Sequence, residues 1–228
     1  MPQDYVIHDS RLVEYNSFSV LLVRSTNLLT SEVQLTAKIV RYNGISHDVV
    51  IPDKIESHTV VEIAPGAFMS NKYIQRVRLQ STVTRIGENA FFNCKNMSSI
   101  RMTRAMCKSL SKELTIEKGA FAGCTSLSEI SFPHKELMPQ SLHNICHLPR
   151  LHSLQAWIKE LDAVSLNECS SLRNICLADN CVLHKNALKN LPGLTSIQLE
   201  GNLDIGQLGK RELSAFLKKN ISCPSNSN

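Results

Sequence analysis

Apolar and polar positions along this 228-residue chain recur in one phrase, of the form Leu-x-x-Ile-x-Leu. It reads Ile74-x-x-Val77-x-Leu79, Met97-x-x-Ile100-x-Met102 and Leu127-x-x-Ile130-x-Phe132. It continues as Leu151-x-x-Leu154-x-Ala156, Leu172-x-x-Ile175-x-Leu177 and Leu194-x-x-Ile197-x-Leu199. Successive copies start 23, 30, 24, 21 and 22 residues apart, and the long step contains residues 104–112, read as an insertion bulging from one coil. Alternate apolar residues such as Val77 and Leu79 face one side of a short strand while Arg76 and Arg78 face the other. One such coil cannot bury its apolar side alone, whereas stacked coils share a continuous core. The pattern therefore predicts a solenoid with its strands side by side in a parallel sheet.

A second ladder stands three residues before each phrase: Cys94, Cys124, Leu148, Cys169 and Leu191. Cysteine and leucine share this position, so the thiols are expected to be small buried hydrophobes rather than nucleophiles or disulfide partners. That use of cysteine suits a reducing compartment.

The segments Ile86-Gly87-Glu88-Asn89-Ala90-Phe91-Phe92-Asn93-Cys94 and Glu117-Lys118-Gly119-Ala120-Phe121-Ala122-Gly123-Cys124 resemble the BspA-like leucine-rich repeat family. Val49-Val50-Ile51-Pro52, Val60-Val61-Glu62-Ile63 and Gly66-Ala67-Phe68 resemble its opening repeat. The likeness is clearest over residues 45–130. Later copies lose the Gly-Ala-Phe element and look like general leucine-rich repeats to about residue 202, as in Leu172-x-x-Ile175-x-Leu177-x-x-Asn180. The expected fold is an α/β repeat solenoid, a leucine-rich repeat with a parallel concave β-sheet, a β-rich N-terminal cap and a C-terminal helix. The resemblance implies a non-enzymatic surface protein of bacteria or protists that attaches to host or matrix proteins.

The ends carry different patterns. Residues 1–44 precede the repeats, and residues 18–23 and 33–42 read as strands of a cap over the first coil. Residues 45–202 form the solenoid. In the segment 203–228, Leu213, Phe216 and Leu217 stand at helical spacing among charges, which predicts a capping helix over residues 210–219.

Composition narrows the function. Hydrophobic residues make up 43% of the chain, enough for a sizeable core. The longest apolar run, Val20-Leu21-Leu22-Val23, is far below the ~20 residues of a membrane helix. It is also below the ~7–15 of an export signal, which favours the cytoplasm against the surface location implied by the resemblance. The formal charge of +5, with only 5% aromatic residues, fits an acidic protein partner better than nucleic acid.

No reaction centre emerges. His143-x-x-Cys146 and Cys181-x-x-His184 have the residue types of a zinc site, but repeat phase sets them two coils apart, roughly 10 Å by strand spacing. Cys176 falls on the outward strand face without a histidine in the neighbouring columns. No cofactor, metal or small-molecule substrate is expected. The outward columns remain: Arg76, Ser99, Glu129, Ser153, Asn174, Ser196, then Arg78, Arg101, Ser131, Gln155, Cys176, Gln198. A third begins with Gln80 and Thr103 and runs through Pro133, Trp157 and Ala178. Arginine and tryptophan are enriched at binding hot spots. The expected partner-binding residues are accordingly Arg76, Arg78, Arg101, Gln155, Trp157 and Asn174. The alternative is an intracellular scaffold or regulatory interaction protein acting through its caps.

Overall fold

In a computed structural model, residues 5–103, 113–137, 139–199 and 214 are described. The expected insertion at residues 104–112 and the expected helix over 210–219 lie outside these residues, Ser214 excepted. The strands are β1 (Tyr5–Tyr15), β2 (Phe18–Asn27), β3 (Val33–Tyr42), β4 (Asp48–Val50), β5 (Lys54–Ile55), β6 (His58–Ile63) and β7 (Arg76–Leu79). They continue as β8 (Arg85–Ile86), β9 (Ser99–Met102), β10 (Thr115–Ile116), β11 (Glu129–Leu137), β12 (Ser153–Leu161), β13 (Asn174–Leu183) and β14 (Ser196–Leu199). The α-helix among the described residues is α1 (Pro139–His143). Among the described residues the architecture is thus a β-solenoid, with α1, five residues long, as the helical element in the coils.

Two sheets organise the coils. The long one runs β14-β13-β12-β11-β9-β7-β4, all parallel, and six of its strands are the six recurring phrases. The seventh, β4, is supplied by Val49 and Val50 of the opening repeat. The second sheet runs β1-β2-β3-β6-β8-β10, with β5 paired to β6. Its solenoid members β8 and β10 are only two residues each, too short to leave a periodic signal in the sequence.

The third side of the early coils is the Gly-Ala-Phe turn. Its backbone bonds run from coil to coil: Phe68 N to Ala90 O at 2.8 Å and Phe91 N to Ala120 O at 2.8 Å. Each turn opens on a residue at positive φ, namely Gly66 (66°), Asn89 (54°) and Gly119 (68°), and closes on a second, Ser70, Asn93 and Gly123. Asparagine tolerates this left-handed conformation better than other side chains, so it can stand where glycine does. At Gly119 a Cβ would lie 2.2 Å from Oδ1 of Asn89, the tip of a movable side chain, so the positive φ more than the stacking favours glycine there.

These turns place their phenylalanines in a row along the axis. Phe68 and Phe91 stack at 4.8 Å between ring centroids, Phe91 and Phe121 at 5.7 Å, and all three are buried. The row continues into the cap through Tyr42, 5.1 Å from Phe68, and Phe18, 5.2 Å from Tyr42. In later coils Ile145 and Leu166 occupy the equivalent place, three residues before Leu148 and Cys169. The expected thiol ladder is buried throughout: Cys94, Cys124 and Cys169 are each at most 1% exposed. Each thiol donates to a carbonyl of the preceding coil, Cys94 to Phe68 O at 3.1 Å and Cys124 to Phe91 O at 3.0 Å. Burial pushes both thiols up to about 12 and Cys169 to about 11. These cysteines are packing residues.

The N-terminal strands differ from a lid. β1, β2 and β3 form an antiparallel meander, and β3 then pairs in parallel with β6. The cap thereby extends the second sheet edgewise, with Phe18, Val20, Leu22, Ala37 and Ile39 joining the solenoid core. A charged network fastens this junction: Lys38 Nζ lies 2.8 Å from Glu62, Arg85 3.3 Å from Glu62, and Arg85 2.5 Å from Glu117. Glu62 is only 6% exposed, so these cations compensate a carboxylate largely removed from water.

In the coil after β10, α1 stands where a short strand would be. Ile116 N donates to Ser141 Oγ at 3.0 Å, and Asn144 Nδ2 donates to Ile116 O at 2.9 Å. Side chains of the α1 segment thus satisfy backbone groups that a next strand would have paired.

Candidate functional site

The candidate surface is the solvent side of the long sheet. Register places Asp48, Arg76, Ser99, Glu129 and Ser153 in one column, and Arg78, Arg101, Ser131 and Gln155 in the next. The apolar residues between them, such as Val77, Ile100 and Ile130, are buried. The alternation read from the sequence is therefore the alternation in space.

The three arginines occupy unequal environments. Arg76 is held by Asp48 of β4 through two bonds of its guanidinium, one from its terminal nitrogen at 2.6 Å. Arg101 reaches Glu129 of β11 at 2.5 Å. Arg78 lies exposed between them, and its guanidinium makes no hydrogen bond or ion pair among the described residues. The Asp48 carboxyl is held below its ordinary value, chiefly by the hydrogen bond from Arg76, with the charges of Arg76, Arg78 and His47 adding to it. Arg76 and Arg101 each have a carboxylate partner, and of the three arginines Arg78 is the one without. The sequence reading missed the Asp48 partnership because it did not place β4 in this sheet.

The columns break further along. After Ser153↔Asn174 the register shifts, so Trp157 pairs with Cys176 rather than with Ala178. A matching shift on the other side sets Trp157 against Glu136 rather than Pro133. The cause is strand length: β11, β12 and β13 run on for nine or ten residues and take up extra residues as irregularities. Trp157 consequently stands half-buried beyond the regular ladder, while Gln155 and Asn174 are exposed on the flat part. Gln155 Oε1 accepts from Ser131 Oγ at 2.7 Å. Cys176 is half-buried, its Sγ 3.6 Å from Gln198 Oε1, and burial raises its thiol above the ordinary value. The outward surface grades from charged at β4, β7 and β9 to neutral amides and hydroxyls at β12 and β13.

The two histidines of the zinc-like pattern engage carboxylates. His143 Nε2 lies 2.8 Å from Asp162, and His184 Nε2 lies 2.6 Å from Glu160. Among the described residues no cluster of three or more His, Cys, Asp or Glu is placed to hold a metal ion. Nor is any helix among them long and apolar enough to cross a membrane.

Asp162 closes the turn after β12. Burial alone would raise its carboxyl, but hydrogen bonds from Ser165 Oγ, from His143 and from the backbone N–H groups of Ser165 and Val164 prevail and hold it at about 2. A carboxyl lowered on folding adds stability above its unfolded value near 3.8, and that stability is lost as pH falls toward 2. Asp162→Ala should cost about 1 kcal/mol at neutral pH. Urea titrations of the two proteins between pH 5 and roughly pH 2 should converge as the acid range is entered. A gap independent of pH would refute this role.

Stacked, phase-locked coils with a continuous parallel sheet define a repeat protein whose unit is 21–24 residues apart from one step of 30. The chain belongs to the BspA type leucine-rich repeat family: its family model matches six copies over residues 46–114 and 107–208. The match extends through the later coils, which lack the Gly-Ala-Phe element. No curated protein sequence matches the chain. Solved structures similar to it include a leucine-rich repeat protein of T. pallidum, 19% identical over 90% of this chain and 96% of that one, with a TM-score of 0.48. Another is a leucine-rich repeat protein of Bacteroides capillosus, 18% identical over 83% of this chain and 99% of that one, with a TM-score of 0.38. A third is a leucine-rich cell surface protein of Faecalibacterium prausnitzii, 16% identical over 85% of this chain and 96% of that one, with a TM-score of 0.31. The family assignment rests on the repeat match.

Proposed function

We propose that the chain is a non-enzymatic binding module that grips a protein partner on the solvent side of its long sheet. The observation that carries this reading is the row of exposed side chains in register across the coils, with Arg78 unpaired among the described residues. An acidic group of the partner would dock at Arg78, where a bidentate, charge-assisted contact is available. Arg76 and Arg101, each with a carboxylate beside it, would orient that group. Gln155 and Asn174 would add neutral hydrogen bonds, and Trp157 apolar contact at the edge. The family resemblance supports adhesion to a host or matrix protein as the setting. Domain limits at 44 and 202 go with this reading, the central unit presenting the surface.

The experiment is crosslinking capture from lysate and matrix extract, followed by affinity measurement on the captured partner. Arg78→Glu should weaken binding at least tenfold with an unchanged melting temperature, and added salt should weaken wild type steeply. Arg76→Gln and Arg101→Gln should each have a smaller effect. A partner held equally well by Arg78→Glu would refute the surface and move the search to the N-terminal strands.

A further inference from the structure

The second sheet ends differently on its two sides. At β10 the last backbone groups are met by Ser141 and Asn144 of the α1 segment. At the other end β1 pairs, among the described residues, with β2 alone, so no described strand meets its outer backbone groups along 11 residues. Natural edges are normally blunted by charged side chains, proline, bulges or short length, because a bare edge is a template for another strand. β1 is long and contains neither proline nor lysine; it exposes Val6 (42%), Ile7 (45%) and Leu12 (63%), and its charges Asp9, Arg11 and Glu14 are of both signs, so they bar an unlike strand but not one that matches them. Its one irregularity is a bulge at His8, where the register to β2 shifts between Ile7 and Asp9.

The sequence of β1 is complementary to itself. Run antiparallel about Ser10, Asp9 stands opposite Arg11 of the second copy, and Arg11 opposite its Asp9. The bulge at His8 takes up one residue, so Ile7 then meets Leu12 of the second copy and Val6 meets its Val13. The faces agree as well. Ile7 and Leu12 lie opposite Ser25 and Leu21, on the face of Val23, whereas Asp9, Arg11 and Val13 share the face of Val20 and Leu22. Every directly opposed pair is thus either oppositely charged, apolar or small, apart from Tyr5 against Glu14 at the ends. Arg11 also bonds Glu56 of its own chain, which fixes the guanidinium at this edge.

We propose that β1 pairs with β1 of a second copy of this chain, joining the second sheets of two molecules across a two-fold axis at Ser10. The ladder would be isologous, with each unlike pair occurring twice by symmetry. It involves the sheet opposite to the binding columns and is independent of the function proposed above.

Sedimentation velocity on the full chain tests this. Wild type should sediment as a dimer, at twice 25.5 kDa. Asp9→Lys sets lysine against arginine twice, and Arg11→Glu sets glutamate against aspartate twice. Each variant should dissociate roughly 30-fold more readily; Asp9→Lys should keep its circular dichroism melt, and Arg11→Glu, which also loses the exposed bond to Glu56, should shift it by only a few degrees. Mixed in equal amounts, the two variants restore both attractive pairs and should recover the dimer. Ser10→Cys should form an intermolecular disulfide under mild oxidation, since opposed Cα atoms lie about 4.5–5.5 Å apart in such a ladder. Wild type remaining at 25.5 kDa at high micromolar concentration would overturn the proposal. So would variants that dimerise unchanged, a mixture that stays monomeric, or a Ser10→Cys chain that does not crosslink.

Discussion

Phe91→Ala should lower the melting temperature by roughly 10–20 °C. The Phe91 ring is fully buried and stacks on Phe68 at 4.8 Å and on Phe121 at 5.7 Å, so truncation parts Phe121 from the rest of the aromatic row. Removing a buried phenylalanine costs about 3–5 kcal/mol through lost transfer energy and the cavity left behind. Two ring–ring contacts go with it, which places this site at the upper end, about 5 kcal/mol. For a chain of this length each kcal/mol corresponds to about 2–4 °C. The next residue is the control: Phe92 is 40% exposed, and Phe92→Ala should change the melt by only a few degrees. Calorimetry on both variants decides the matter. Equal effects would mean that the row does not carry the stability assigned to it.

The second large effect is expected at Glu62. Its carboxylate is 6% exposed and sits between Lys38 of β3 and Arg85 of β8, at the seam between the N-terminal meander and the coils. Removing one member of a buried ion pair leaves its partner's charge uncompensated, at a cost of about 3–5 kcal/mol in a dry setting. Arg85 retains Glu117, and its side chain is 42% exposed, so the loss for Glu62→Ala should be nearer 2–3 kcal/mol. Denaturant titration should show this loss, and limited proteolysis should show earlier cleavage in β1 to β3. A double-mutant cycle with Lys38→Ala should give a coupling of about 1 kcal/mol or more. Zero coupling, with an additive double variant, would dispose of the seam.

Much of this architecture is legible in the chain because the repeat states its own register. The phrase beginning at Ile74 and its five successors are strands of one sheet, and the position shared by Cys94 and Leu148 is buried as the alternation of residue types implies. What escaped the reading has definite physical causes. β1 interleaves His8, Asp9 and Arg11 with apolar residues, and the bulge at His8 disrupts any period of two. β8 and β10 are set by coil stacking rather than by local pattern, because two residues have no periodicity. α1 begins at a proline and has no acidic residue in its first turn, so no start signal beyond that proline marks it.

The surface was legible column by column but not in its pairing. Sequence placed Arg76, Arg78 and Arg101 together, and the sheet agrees. That two of them are already matched follows from contacts between residues 28 apart, Arg76 with Asp48 and Arg101 with Glu129. Arg78 differs from them only in its neighbours. The displacement of Trp157 from its expected column has the same origin: irregularities in β11 to β13 depend on how the coils bend, which a repeat phrase does not encode.

The bonds of the Gly-Ala-Phe side run from coil to coil, Phe68 to Ala90 and Phe91 to Ala120, and so lie along the axis of the stack. Tension applied at the two ends would therefore peel boundaries apart one at a time rather than shear many bonds together. Each coil that yields would release about 23 residues, roughly 80 Å of slack, while its neighbours stay folded. Held between two anchor points, such a chain would behave as an extensible tether that dissipates a pull in small instalments.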